Sequence, residues 1–318
     1  MIEKNKILEA CLSTQKGEKY DVAICYSGGK DSAFLIYLLK EIYGLRVIAV
    51  SVDNGFEFES TLEGLEEFPN NVGIPLKVIK PDRDFFKKLY HNLIVSPGEL
   101  QDGKRNHVCH VCNNMIWCQV MIYAADNNIP FVASGLGLEQ LNSGRSYPLE
   151  INRMANRIAE KSTRKILRMV IEHIHSDNEL MKDAIFCEEV SRLESISNQV
   201  VTVYPYIYHK ININEQKKLI REYGQWRPLN DEDFNKYISS GCLIMKKVMG
   251  ELEKLELIRL NEREEAKRMS AAGQISEDQI AFAYRDVTRN KVDLSDAIFD
   301  ELDVKNHLME IAIKRKQL

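Results

Sequence analysis

The sequence predicts an α/β fold, a doubly wound parallel sheet with a helical region following it. Two observations carry this. Short apolar runs alternate with helical patterns through the first two-thirds of the chain, and beyond Pro205 the periodicity becomes almost wholly helical. At roughly 150 residues per domain, 318 residues suit two units, a sheet-bearing 1–205 and a helical 206–318.

The elements follow in order. Asp21–Tyr26 reads as a buried strand, and Ser32–Tyr43 follows with helical periodicity. Arg46–Val52 is a second strand, Leu76–Ile79 a short third, and Phe85–Leu93 a helix. Ile116–Asp126 is helical, and Pro130–Ser134 is a strand that leads into a glycine-containing loop. Val200–Tyr204 is the last strand, closed by Pro205. Helices are then expected over Asn214–Tyr223, Leu243–Leu257, Glu262–Ala272 and Ser276–Tyr284, with Ser276 and Gln279 as a capping box.

Composition narrows the classes. The chain carries 43 basic and 47 acidic side chains, a net charge of −4, which excludes a strongly basic nucleic-acid footprint. Lys161–Arg168 and Lys314–Lys316 are modest local exceptions, and the acidic stretch Glu57–Glu67 reads as a solvated face. A 44% hydrophobic content excludes wholesale disorder. No apolar run approaches the ~18 residues that cross a bilayer, so no membrane association and a cytoplasmic setting are expected. Seven cysteines, an odd number without an export signal, point to reduced thiols, a metal site or catalysis, not to a disulfide framework.

The strongest motif is Tyr26-Ser27-Gly28-Gly29-Lys30-Asp31-Ser32, where the first strand meets its helix. Two adjacent glycines let the backbone turn close to an anion, and N–H groups at the helix start point at it. Lys30 adds a positive charge, and Ser27 and Ser32 add hydroxyl donors. Neither the Walker pattern nor the G-x-G-x-x-G pattern fits, because Asp31 follows the lysine and the glycine spacing is wrong.

This SGGKDS string resembles the signature of the PP-loop ATP pyrophosphatases, the adenine nucleotide alpha hydrolases. The resemblance covers roughly residues 20–205, through the loop, the strand ending at Asp53 and the Ser134-Gly135 turn. It implies cleavage of ATP between its α and β phosphates, with the loop gripping pyrophosphate while AMP passes to a substrate oxygen. Adenine is then expected near Ser51–Asp53 and the α-phosphate near Ser134-Gly135. Mg²⁺ would share the phosphate charge, and Asp31 would orient it or cap the helix.

The second motif is Cys109-His110-Val111-Cys112, read as lying directly before a helix that opens at Asn113. Redox dithiols, zinc half-sites and iron–sulfur half-sites all share this spacing. Zinc would draw on His91, His107 or His110. An iron–sulfur site needs a third cysteine, and Cys242, in the small-residue loop Ser239-Ser240-Gly241-Cys242, is a better candidate than Cys11, Cys25, Cys118 or Cys187. The arrangement resembles the iron–sulfur branch of PP-loop sulfur transferases. In that branch three cysteines hold a [4Fe–4S] cluster and leave one iron open for sulfide. Cys242 lies further downstream than that pattern.

A second branch is also similar. The run Tyr26–Phe56, Lys80-Pro81-Asp82, CHVCNN and AAGQISEDQIA resemble the N-acetyl sugar amidotransferases. That likeness implies an amidine made on a sugar, with ammonia from a glutaminase partner and a structural metal. The extra N-terminal cysteine motif of that branch has no counterpart, since only Cys11 precedes the loop.

The expected chemistry is activation followed by replacement: a carbonyl oxygen is adenylated with loss of pyrophosphate, and sulfur or ammonia displaces AMP. Lys30, Asp31, Cys109 and Cys112 are the candidate catalytic residues. Without a cluster, one thiol of Cys109 and Cys112 would carry a persulfide. From another class, an ATP-binding regulatory module also fits the loop. The acceptor is a small molecule, a sugar or tRNA, and a sulfur donor or glutaminase is the expected partner. The helical extension covers the site or forms a homodimer.

Overall fold

A computed structural model of the chain describes residues 2–98, 106–137, 168, 171–177, 180–195, 200–209, 212–228, 241–260, 267–268, 270–271, 273 and 291–315. Its centre is a five-stranded parallel sheet, as expected: β1 (Val22–Cys25), β2 (Val47–Val52), β3 (Leu76–Ile79), β4 (Phe131–Ala133) and β5 (Val201–Val203). The strand order is β3-β2-β1-β4-β5. All six residues of β2 are buried, which is why its sequence is a continuous apolar run with no alternation.

Helices α1 (Lys6–Leu12) and α2 (Lys30–Tyr37) cover one face together with α8 (Ile213–Gly224), which supplies Ile220. Helix α2 runs on into a π-helical turn, Leu38–Ile42. On the other face lies α6 (His107–Asp126), through Trp117, Val120, Met121 and Ala124. Short helices α3 (Glu59–Gly64) and α4 (Glu67–Asn71) join β2 to β3.

Helix α6 is apolar nearly all round because two cores claim it. Its far side gives Val108, Val111, Cys112, Met115 and Cys118 to a helical core. That core also takes side chains from α5 (Arg83–Val95), α7 (Ala184–Glu194), α9 (Met249–Lys254), α10 (Ala297–Glu301) and α11 (Lys305–Arg315). No described helix is long and apolar enough to cross a membrane.

Three sequence expectations change. Helix α6 starts at His107, well before Asn113, because Asn106 caps it by accepting the Cys109 N–H at 3.0 Å. The CHVC motif therefore lies inside the helix. The span expected as one helix over Leu243–Leu257 opens with a π-helical turn, Ile244–Val248, before α9. Within the acidic stretch, α3 exposes Glu59 and Glu63, but Glu57 turns inward. The helix expected over 262–272 falls largely outside the described residues, and the one over 276–284, with its capping box, wholly so.

Helix α8 seats on α4 through Gly224. A Cβ there would lie 2.4 Å from Val72 Cγ1 and 2.6 Å from Phe68 Cε2, both buried. Gly224→Ala is expected to cost about 1–3 kcal/mol by overpacking, read as a lower urea midpoint at unchanged slope.

Candidate active site

The loop after β1 is built around two turns of chain. The Tyr26 N–H finishes the strand by donating to the Val50 carbonyl at 2.8 Å. Gly28 then takes a φ of +74°, in the left-handed region that favours glycine. Gly29 caps α2 in extended conformation without a side chain, so the first N–H groups of the helix open on the loop. Ser32 Oγ donates to the Gly29 carbonyl at 3.0 Å and accepts the Ser27 N–H at 3.3 Å. Lys30 Nζ stands 2.6 Å from Asp31 Oδ2.

The loop is braced from behind by residues far along the chain. Tyr206 Oη donates to the Asp31 carbonyl at 2.5 Å, and Trp226 Nε1 donates to the Gly28 carbonyl at 3.0 Å. Gln216, on α8, donates to the Lys30 carbonyl at 3.2 Å and to Asp31 Oδ1 at 3.1 Å. Sequence reasoning missed these residues, because α8 reads as an ordinary amphipathic helix.

The strand order reverses between β1 and β4, and in such sheets ligands bind beyond the carboxyl ends at that point. Ser134-Gly135, which follows β4, meets the loop there: a Cβ on Gly135 would lie 3.1 Å from Asp31 Cβ. The structure thus brings Ser27–Ser32 and Ser134-Gly135 together. Ser51 is buried within β2, and Asp53 lies just past the end of β2, where its Oδ1 accepts the Gly55 N–H at 3.0 Å and its Oδ2 pairs with Lys80 at 3.5 Å.

Next along the same edge, the chain leaving β2 builds a thiol pocket. Asn54 Nδ2 donates to Cys112 Sγ at 3.6 Å, and the Tyr90 hydroxyl shares a hydrogen bond with the same sulfur at 2.8 Å. Cys242 pairs with Glu57 in a short antiparallel bridge, fixed by Phe58 N–H to the Gly241 carbonyl and Leu243 N–H to the Phe56 carbonyl, each 2.8 Å. It is therefore tied to the segment that follows β2, while Ser239 and Ser240 of its expected loop lie outside the described residues. Cys109 Sγ lies 3.8 Å from Met245 Sδ. Burial, then Cys112, Cys242 and Cys109, hold the Tyr90 hydroxyl well above its usual range, and Cys112 is in hydrogen-bond contact with it.

Burial, then the nearby Cys242, pushes the Cys112 thiol up to about 12, against hydrogen bonds from Tyr90 and Asn54. Burial and Glu57 push Cys242 up to about 11, opposed by the Ile244 and Met245 N–H groups. Burial, with Asp53 beside it, raises Glu57 to about 7.

Among the described residues, no group of three or more Cys, His, Asp or Glu side chains is placed to hold a metal ion. The donors around Cys112 are nonetheless of the kind that a thiolate-bound metal group uses. Protons held on buried thiols are those a metal displaces, and O–H and N–H donors around cysteine sulfur are the partners that tune such centres. His91 and His107 each hold a backbone carbonyl with one ring nitrogen, Leu302 at 3.0 Å and Leu93 at 2.8 Å, and His110 is half-buried on α6. Tyr90, Asn54 and Glu57 carried no sequence signal.

No family model matches the chain. A U34-tRNA thiolase from Methanococcus maripaludis, solved with its [4Fe–4S] cluster, aligns with 96% of this chain and 78% of its own at 18% identity and a TM-score of 0.38. The 7-cyano-7-deazaguanine synthase of Saccharolobus solfataricus is 27% identical over 173 residues, 51% of this chain and 37% of that protein. The cytoplasmic tRNA 2-thiolation protein 1 of Eremothecium gossypii is 36% identical over 93 residues, 27% of this chain and 23% of that protein. The chain thus spans well under half the length of these curated relatives. A phosphate loop of this sequence, set at the switch point of this parallel sheet, makes the chain similar to the PP-loop ATP pyrophosphatases.

Proposed function

We propose that the protein is an ATP-dependent transferase that adenylates a carbonyl oxygen and then replaces AMP with sulfur. One observation carries the reading. The SGGKDS loop follows β1, and Asn54, which contacts Cys112, lies two residues past the end of β2, the strand hydrogen-bonded to β1. Phosphate-binding and thiol-bearing groups therefore share one edge of the sheet.

In the first step the substrate oxygen attacks the α-phosphorus, and the bond from that phosphorus to the oxygen bridging the β-phosphate breaks. Lys30 and the first N–H groups of α2 would receive the charge developing on departing pyrophosphate, where fixed donors act most strongly. Mg²⁺ bound to the phosphates would share that load. In the second step sulfur attacks the activated carbon and AMP leaves with the original oxygen. A [4Fe–4S] cluster on Cys109, Cys112 and Cys242 would supply sulfide at this edge, drawn from a separate sulfur donor. The chain's own part is to hold three sulfurs in an apolar pocket beside Tyr90 and Asn54. Residues 1–205 would bind the nucleotide, and residues 206–318 would add Cys242 and the brace behind the loop.

The names of the two curated relatives support an acceptor among nucleobases, free or in tRNA, over a sugar. The test is to incubate ATP labelled at the α-phosphate with such acceptors and separate the products. AMP and pyrophosphate are expected. ADP and phosphate would overturn the reading.

A further inference from the structure

The peptide joining Gly28 to Gly29 is the least constrained in the phosphate loop. Glycines flank it on both sides, and Gly28 already stands at a φ of +74°. With no Cβ on either side, little in the local chain resists a flip of its carbonyl. It also lies ahead of α2, so the helix does not align it as it aligns the Lys30 and Asp31 carbonyls.

A residue far along the chain fixes it. The Trp226 indole N–H donates to the Gly28 carbonyl at 3.0 Å, in a buried setting. Trp226 packs in the core shared by α1, α2 and α8, where a position that needed only apolar volume would be met by phenylalanine. Its own backbone is set without the indole. Gln225 ends α8 in the left-handed region at a φ of +56°, with its N–H on the Arg221 carbonyl at 2.9 Å. The Trp226 N–H then reaches the Ile220 carbonyl at 3.4 Å. The cap of α8 thus presents the indole to the loop.

Among the described residues no peptide is cis, and in a trans peptide the C=O and the following N–H point in opposite directions. With its carbonyl held on Trp226, this peptide turns the Gly29 N–H to the opposite side. We infer that Trp226 is a positioning residue for anion binding, aiming the Gly29 N–H outward to join the first N–H groups of α2 on pyrophosphate. This rests on the ATP pyrophosphatase reading above and extends it to a residue 198 positions beyond Gly28. Pyrophosphate is the matching ligand, because its several charged oxygens accept a row of N–H donors together. Its charge also polarises the Gly28–Gly29 peptide and strengthens the bond from Trp226 behind it.

The experiment measures inorganic pyrophosphate binding by calorimetry for wild type, Trp226→Phe, Trp117→Phe and Lys30→Ala, and follows the Gly29 amide by NMR in protein carrying isotope-labelled glycine. Trp226→Phe keeps an aromatic ring and removes the donor. It is expected to weaken pyrophosphate binding about three- to tenfold, with unchanged circular dichroism and a Gly29 amide broadened by flipping. Trp117→Phe, altered where that ring stacks on Tyr204, should bind as wild type does. Wild-type affinity in a folded Trp226→Phe, with Lys30→Ala impaired, would overturn the role of Trp226 and leave the loop reading intact. Weakened binding with an unaltered Gly29 amide would place the effect elsewhere and overturn it too. A wild type that binds neither pyrophosphate nor ATP would overturn both readings. Should Trp226→Phe fail to fold, the wild-type Gly29 amide decides: a shift on adding pyrophosphate supports the inference, and no shift overturns it.

Discussion

Lys30→Ala is expected to lower ATP turnover by roughly a hundredfold or more, in line with loss of one preorganised group facing developing charge. The Lys30 side chain is only 15% exposed, and its ammonium sits on Asp31. Removing it withdraws a cation from the phosphates and leaves a carboxylate facing them, so the two effects add. The loop itself should persist, because its brace runs to backbone carbonyls of Gly28, Lys30 and Asp31. Unchanged circular dichroism beside lost pyrophosphate release is the expected pair of results. Turnover within about threefold of wild type would be far below the effect of such groups elsewhere and would move phosphate binding away from Lys30.

If the proposed cluster is present, wild type purified without oxygen is expected to carry about four iron and four sulfide per chain, and Cys242→Ala to lose most of both. The substitution is a clean probe. Cys242 is held by backbone bonds of Phe56, Phe58, Gly241 and Leu243, so losing the thiol should not displace the segment. Cys118→Ala is the control: that residue is buried on α6 among the core side chains. Equal iron in Cys242→Ala and wild type would remove Cys242 from the site. Zinc alone in the wild type would favour the ammonia-using amidotransferase chemistry and a structural metal.

The legible parts of this protein are those written locally. The five strands are apolar runs closed by turn residues, and SGGKDS names its own place between strand and helix. The start of α6 was not legible, because a helix buried on two sides has no polar face to mark its first turn, and a cysteine–histidine cluster there imitates a loop. Glu57 was hidden by its neighbours: an acidic run averages to a solvated surface, and only the pairing with Cys242 shows which member turns inward. The cysteines could be grouped by type and spacing, but Tyr90 and Asn54 could not, since nothing local joins a tyrosine on α5 to a sulfur on α6. Tyr206, Gln216 and Trp226 were missed for the same reason.

The brace behind the phosphate loop also bears on the order in which the chain acquires its parts. Gly28 and Trp226 are joined across 198 positions, and Lys30 and Gln216 across 186. Closing so long a loop of unfolded chain costs entropy that only later contacts return, so such pairs form late and slow the whole process. The five described strands all end by residue 203. A chain still being synthesised, complete to that point, already contains all five of these strands and its SGGKDS string while Gly28, Lys30 and Asp31 lack the groups that tie them down. Catalytic competence is in this sense a property of the last part of the molecule to arrive, although every residue of its signature belongs to the first.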